Sequence, residues 1–347
     1  MQRFKLIFFL AFSLLMLSAC TKKAEEPRMV RLMIWGNYFA PETKARFERE
    51  RGIRLEIANY SSNEELLAKL QAGARSFDLA VPSDYMVEIL AKQKLIQPLD
   101  FAKIPNRKNL MPELLGHYFD PKNTYSVPFA TGLAGLAVNR DLYPEKISCW
   151  SDLLDNPKLA GKFSLLDDSR EVIAVGLKLN EFSVNSRDPK EIDLAKKTIL
   201  KARKSVNRFS SDVIDSLVNR EVAIAHTWSV DAMQAAAKSK DKIEFVLPCE
   251  GGTRAMDNLV VIADSKNANE AHELIDFLLN PEVNRDFVQR IFAGPVLVGV
   301  REQLPPELKS NAALFPSKEI LQKFEEIREL GSDSALYDKA WTELKVN

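Results

Sequence analysis

"SSNEELLAKLQAGARSFDLAVPSDYMVEIL" (residues 61–90) changes its hydrophobic period twice. Asn63 stands where a cap belongs, ahead of "EELLAKLQA", whose Leu66, Leu67 and Leu70 share one face and which Gly73 terminates. "FDLAVP" (77–82) is a short apolar run closed by Pro82, a strand pattern, and "YMVEILAKQ" returns to helical spacing. The same alternation occurs upstream. "VRLMIWG" (30–36) reads as a strand, Pro41 opens a helix that Gly52 closes, and "IRLEIANY" (53–60) is the next strand. Three strand–helix units in succession predict a parallel sheet covered on both faces.

A second set of units follows the middle of the chain. "YSVPFATGLAGLAVN" (125–139) is extended, apolar and punctuated by glycine, suited to a passage between two domains. "FSLLD" (163–167), "VAIAHTW" (222–228), "IEFVLP" (243–248) and "NLVVIADS" (258–265) read as strands, the first two each followed by a helical pattern. "EGG" (250–252) reads as a flexible joint, and the remainder, including "SKEILQKFEEIREL" (317–330), as mostly helical.

In open α/β sheets, ligands sit beyond the carboxyl ends of strands. Those positions hold Trp35, Ser83, Tyr85, Asp168 and Trp228, and Asp257 precedes "NLVVIA". Aromatic faces with carboxylates suit an organic cation. The ring quadrupole attracts it, and the acids offset the loss of its water. Each residue also has an ordinary reading. A strand-end Trp packs a rim, Ser83 caps a turn, and Asp168 with Glu171 makes a helix capping box.

Arg3 and Lys5 precede the apolar run "LIFFLAFSLLMLSA" (6–19), which ends at Cys20. That is a signal-peptide pattern, too short for a comfortable membrane span. Small residues directly before a Cys resemble a bacterial lipobox, with Cys20 as the lipidated first residue. The chain of 347 residues carries 48 Lys plus Arg and 48 Asp plus Glu. Loss of Arg3 and Lys5 leaves a slight acidic excess, with no electrostatic footprint for nucleic acid. Cys149 and Cys249 read equally as an exported disulfide or as buried thiols. His117, His226 and His272 form no metal-ligand spacing, and no nucleophile elbow, P-loop or dinucleotide fingerprint appears. No cofactor or metal is expected.

The blocks 61–90, "LIQPLD" (95–100), "FDPKNTYSVPFATGLAGLAVN" (119–139), "LLDDSREV" (165–172), "EGGTRAMDNLVVIADSKN" (250–267) and "IDFLLNPEV" (275–283) closely resemble polyamine-binding proteins of ABC importers, the spermidine/putrescine type. The resemblance runs through roughly residues 30–346. It implies an α/β, two-lobed type II periplasmic binding protein. Each lobe would be a mainly parallel sheet flanked by helices, joined by crossing hinge segments near 131–137 and 253–258. It implies lobes at 29–133 plus 257–302 and at 134–256 plus 303–347, after a signal peptide (1–19) and a tether (20–28). It implies aromatic contacts from Trp35 and Tyr38, Ser83 with Tyr85, ammonium-binding acids Asp168 and Glu171, the strand-end Trp228, and Asp257.

Three positions depart from that pattern. Ala255 and Ala293 stand where the family usually has aromatics, and Ile327 or Arg328 where spermidine binders carry a Gln. Arg254 is a cation beside the site, free to face the cleft, face solvent or pair with an acid. The expectation is therefore a monomeric periplasmic receptor, lipid-anchored through Cys20, that binds putrescine or spermidine and docks on a membrane permease. The alternatives are a receptor for another amine or a non-amine solute, a surface interaction lipoprotein, and a hydrolase using Asp168 and Glu171.

Overall fold

The computed structural model describes residues 27–73, 76–240 and 242–346. Cys20 and its apolar leader lie outside them. Strand β1 (Met29–Trp35) lies between β2 (Arg54–Tyr60) and β3 (Leu79–Ala80), parallel to both. Its alternation feeds two separate cores. Val30, Leu32 and Ile34 pack with the helices Pro41–Arg51 and Ala268–Leu278, while Met33 packs with Tyr60, Leu66 and Met86 on the opposite face. A strand buried on both sides in this way requires near-continuous apolar sequence, and "VRLMIW" supplies it.

A second group of strands has the same character. β5 (Phe163–Leu165) runs parallel to β6 (Val206–Phe209) and to β7 (Ile224–Trp228). Two long strands connect the groups. β4 (Ser126–Asn139) pairs through residues 126–133 with β9 (Gly252–Val261), then through 134–138 with β7, and its end also pairs with β8 (Ile243–Val246). The strand order is β2-β1-β3-β9-β4-β7-β5-β6. The first group thus ends, and the second begins, along the single strand β4.

Three local expectations need correction. The helix Asn63–Gln71 is capped by Ser62, whose side chain accepts from the Glu65 amide; Asn63 is inside the helix, and its side-chain Oδ1 accepts from the Ser83 amide at 3.2 Å. Residues 317–330 are not one helix. Lys318–Leu321 is a single turn, and β10 (Phe324–Glu326) then pairs parallel to β9. Helix-forming side chains are overridden there because Phe324 is 4% exposed against the Gly252 backbone. "EGG" is not a flexible joint. Gly251 has φ +87, and a Cβ there would stand 2.0 Å from the Lys323 carbonyl oxygen. The Glu250 carboxylate accepts from the Trp150 and Ser151 amides at the start of the helix Trp150–Leu154. Cys149 and Cys249, open in the sequence, form a disulfide. It fastens the turn before β9 to the start of the same helix.

Candidate functional site

A cavity of about 540 Å³ lies where the two strand groups meet. All eight sequence-derived candidates line it: Trp35, Tyr38, Ser83 and Tyr85 from the first group of elements, Asp168, Glu171 and Trp228 from the second, and Asp257 from β9. The topology explains the convergence. β1, β3, β5 and β7 all end toward it, and β9 passes alongside.

Trp35 ends β1, and its ring packs on Tyr60 with centroids 4.6 Å apart. A turn then brings Tyr38 back, its amide donating to the Trp35 carbonyl at 3.2 Å. Ser83 sits at the cap position of the helix Asp84–Lys92 but does not cap it. Its hydroxyl donates instead to Asp257 Oδ1 at 2.9 Å, and the Tyr38 hydroxyl and Trp35 indole also face that carboxylate. The Tyr85 hydroxyl donates to Glu64 at 3.0 Å.

Asp168 fulfils half of the capping-box expectation. Its Oδ1 accepts from the Arg170 and Glu171 amides at 2.8 and 3.1 Å, at the start of the helix Ser169–Leu179. Glu171 does not reach back. Its Oε2 accepts from the Thr253 hydroxyl at 2.6 Å, and its Oε1 is buried without a partner. Behind it lies His226, fully buried, with Nε2 3.8 Å from Glu171 Oε2 and its ring against Trp150. Burial pushes the His226 imidazole down to about 3, so it stays neutral and gives Glu171 no counter-charge.

The electrostatics are dominated by buried acids, with the Arg170 guanidinium pulling against the rise of Asp168 and Glu171. Burial pushes Asp257 up to about 6 against the opposing pull of the Ser83 hydroxyl. Burial, and then the neighbouring Asp168, push Glu171 up to about 8. Asp168 is raised by burial and by Glu64. A fourth acid escaped the sequence reading. Asp231 lines the same cavity in the first turn of the helix Ser229–Lys238, and burial pushes it up to about 6. The Asn37 amide, in the turn between Trp35 and Tyr38, donates to it at 3.5 Å. The available signal was an acid three residues after a strand-end Trp, but acids in a helix's first turn are commonplace.

The departures also have definite places. Ala255 and Ile327 line the cavity, whereas Ala293 is fully buried outside it. Arg254 touches the cavity wall and pairs with Glu326, Nη2 to Oε1 3.1 Å. Two of the openings left to it in the sequence are therefore realised together.

Residues 42–316 match the family model described as bacterial extracellular solute-binding protein. The spermidine/putrescine-binding periplasmic protein of Salmonella typhimurium is 35% identical over 317 residues, 90% of each chain. The putrescine/cadaverine-binding protein of Pseudomonas aeruginosa is 31% identical, covering 95% of this chain and 97% of its own. Among solved structures, a putative spermidine/putrescine ABC transporter protein from Listeria monocytogenes superposes with a TM-score of 0.86 at 30% identity, over 92% of this chain and 99% of that one. With the strand order above, these likenesses fix a two-lobed type II α/β fold. The chain belongs to the bacterial extracellular solute-binding proteins, in the spermidine/putrescine-binding periplasmic family, whose members are transporter components and not enzymes.

Proposed function

We propose that this chain is a polyamine receptor that captures a linear amine in the cavity and hands it to the permease of an ABC importer. One observation carries the reading. Asp168, Glu171, Asp231 and Asp257, all raised toward neutrality, share a cavity with Trp35, Tyr38, Tyr85 and Trp228. An ammonium group supplies the charge those acids lack, and the rings hold both its charge and its methylenes. In this reading the lobes are 29–133 with 257–302 and 134–256 with 303–347. Each lobe contributes half the site, and an amine bridging them favours closure. Cys20 carries the lipid that keeps a monomeric receptor at the membrane outside the cytoplasm. Calorimetric titration with putrescine and spermidine tests the core of this. Saturable heat with at least one amine is the expected result, and no heat and no thermal shift with either defeats it.

The raised acids also give two opposed pH dependences. The ligand's amines stay protonated below about pH 10, so affinity is highest where the acids are ionised, above about pH 8. It falls as pH drops through the values of Glu171 (about 8), then Asp231 and Asp257 (about 6 each). Stability of the ligand-free chain runs the other way. These carboxylates titrate higher folded than unfolded, so the native state binds the extra protons. Their contribution is complete below the unfolded values near 4 and is lost as pH rises through 6 and 8. Melting curves and titrations at pH 5, 6, 7 and 8 check both slopes. Parallel slopes would contradict the assignment.

A further inference from the structure

The turn between Trp35 and Tyr38 and the helix Ser229–Lys238 are tied to each other in both directions. The Asn37 side-chain amide donates to Asp231 Oδ1 at 3.5 Å, and the Gln234 side-chain amide donates to the Asn37 carbonyl at 3.4 Å. Gln234 also donates to the Ile291 carbonyl, at a shorter 3.2 Å. Ile291 ends the helix Pro281–Ile291, where the last carbonyls have no intrahelical donor. Val230 and Met233, four and one residues earlier, share the helix face of Gln234. Val230 is 1% exposed within the core that holds Val30, Phe129 and Phe287, and Met233 packs against that core. The helix follows β7 of the second strand group, whereas this core and the turn after β1 belong to the first. Asn37, Val230 and Asp231 line the binding cavity, and Gln234 stands one turn further along the helix, outside that lining.

We propose that Gln234 is a positioning residue that sets how readily the two halves of the site close on an amine. This rests on the two-lobed polyamine reading. In that reading the turn 35–38 is in one lobe and the helix 229–238 in the other, so opening parts Gln234 from both of its carbonyls. Its bonds belong to the closed form and are absent from the open one. A contact that differs between the two forms but does not touch the ligand shifts the affinity of every ligand by the same factor. The turn it holds carries Trp35 and Tyr38, so the same bonds keep two rings of the site against the helix that carries Asp231. Amine selectivity remains with the acids and rings of the cavity, and Gln234 acts only through closure.

The test compares the wild-type full chain with Gln234→Ala and Gln234→Met, the second keeping the length of the side chain without its donors. Calorimetry should give putrescine and spermidine affinities that both fall about five- to tenfold, by one common factor, in either variant. Stopped-flow tryptophan fluorescence should place the loss in a faster dissociation rate. Without any ligand, small-angle X-ray scattering should give both variants a larger radius of gyration than the wild type. Unchanged affinities overturn the inference, as does a loss confined to one amine, a Met variant that binds like wild type, or an unchanged radius of gyration. A wild type that binds neither amine defeats the polyamine reading instead, and the scattering comparison then decides the role of Gln234 alone. Circular dichroism and melting of each variant separate a closure defect from a fold that fails to form.

Discussion

Replacing Glu171 with glutamine lowers polyamine affinity by about a hundredfold and raises the melting temperature of the ligand-free chain. The two effects share one cause. Glu171 is 2% exposed, has an oxygen with no partner, and faces a neutral histidine, so its charged form is costly in the empty site. Burial and Asp168 hold its carboxyl near 8, and the native state carries that proton at neutral pH. Glutamine keeps the shape, retains an acceptor for the Thr253 hydroxyl and cannot ionise. The empty fold gains, and the bound state loses a charge-assisted bond of about 1.5–3 kcal/mol. Binding must also release the Glu171 proton in the wild type. The measured heat of titration should therefore vary with the ionisation enthalpy of the buffer, and this dependence should weaken in Glu171→Gln. Equal affinity for the two proteins would remove Glu171 from the ligand set.

The second large effect concerns stability. Substituting both Cys149 and Cys249 by serine frees a loop whose ends are 100 residues apart in sequence. On the chain-entropy account, closing a loop of that length is worth up to about 4–5 kcal/mol. For a protein of this size that corresponds to roughly 10 °C in melting temperature. Affinity for the amine changes far less, because Glu250 still caps the helix Trp150–Leu154 and Gly251 still packs under Lys323. Calorimetric melting of wild type and variant, with and without reductant, reads this directly. Reductant should lower the wild-type midpoint toward that of the variant and leave the variant unmoved. A wild type indifferent to reductant would count against the bond.

Much of this architecture was written locally. β1 is apolar on both faces and short, Pro41 and Gly52 bracket a helix, and "FSLLDD" ends a strand where a cap begins, so the frame and most of the cavity rim were legible. Other features depend on what the chain meets elsewhere. β10 carries helix-forming residues and becomes a strand because β9 offers it an edge. Asp231 looked like any first-turn acid until the fold set it opposite Asn37. Glu171 and Asp168 looked like one capping unit until Thr253, 82 residues away, engaged one of them. The partner of Arg254, and the pairing of Cys149 with Cys249, are likewise matters of proximity that no local pattern encodes.

Asp168 has a further meaning. Both hydrogen bonds it makes use one oxygen, Oδ1, and both hold the first turn of a helix. Its other oxygen makes no hydrogen bond within the described residues. Half of this side chain is scaffold, and in the proposed reading the other half meets the ligand. A change to alanine at this position charges two accounts at once, whereas asparagine keeps the scaffold half. Under the polyamine reading, truncation here therefore lowers stability together with amine affinity, because it loosens the helix that also carries Glu171.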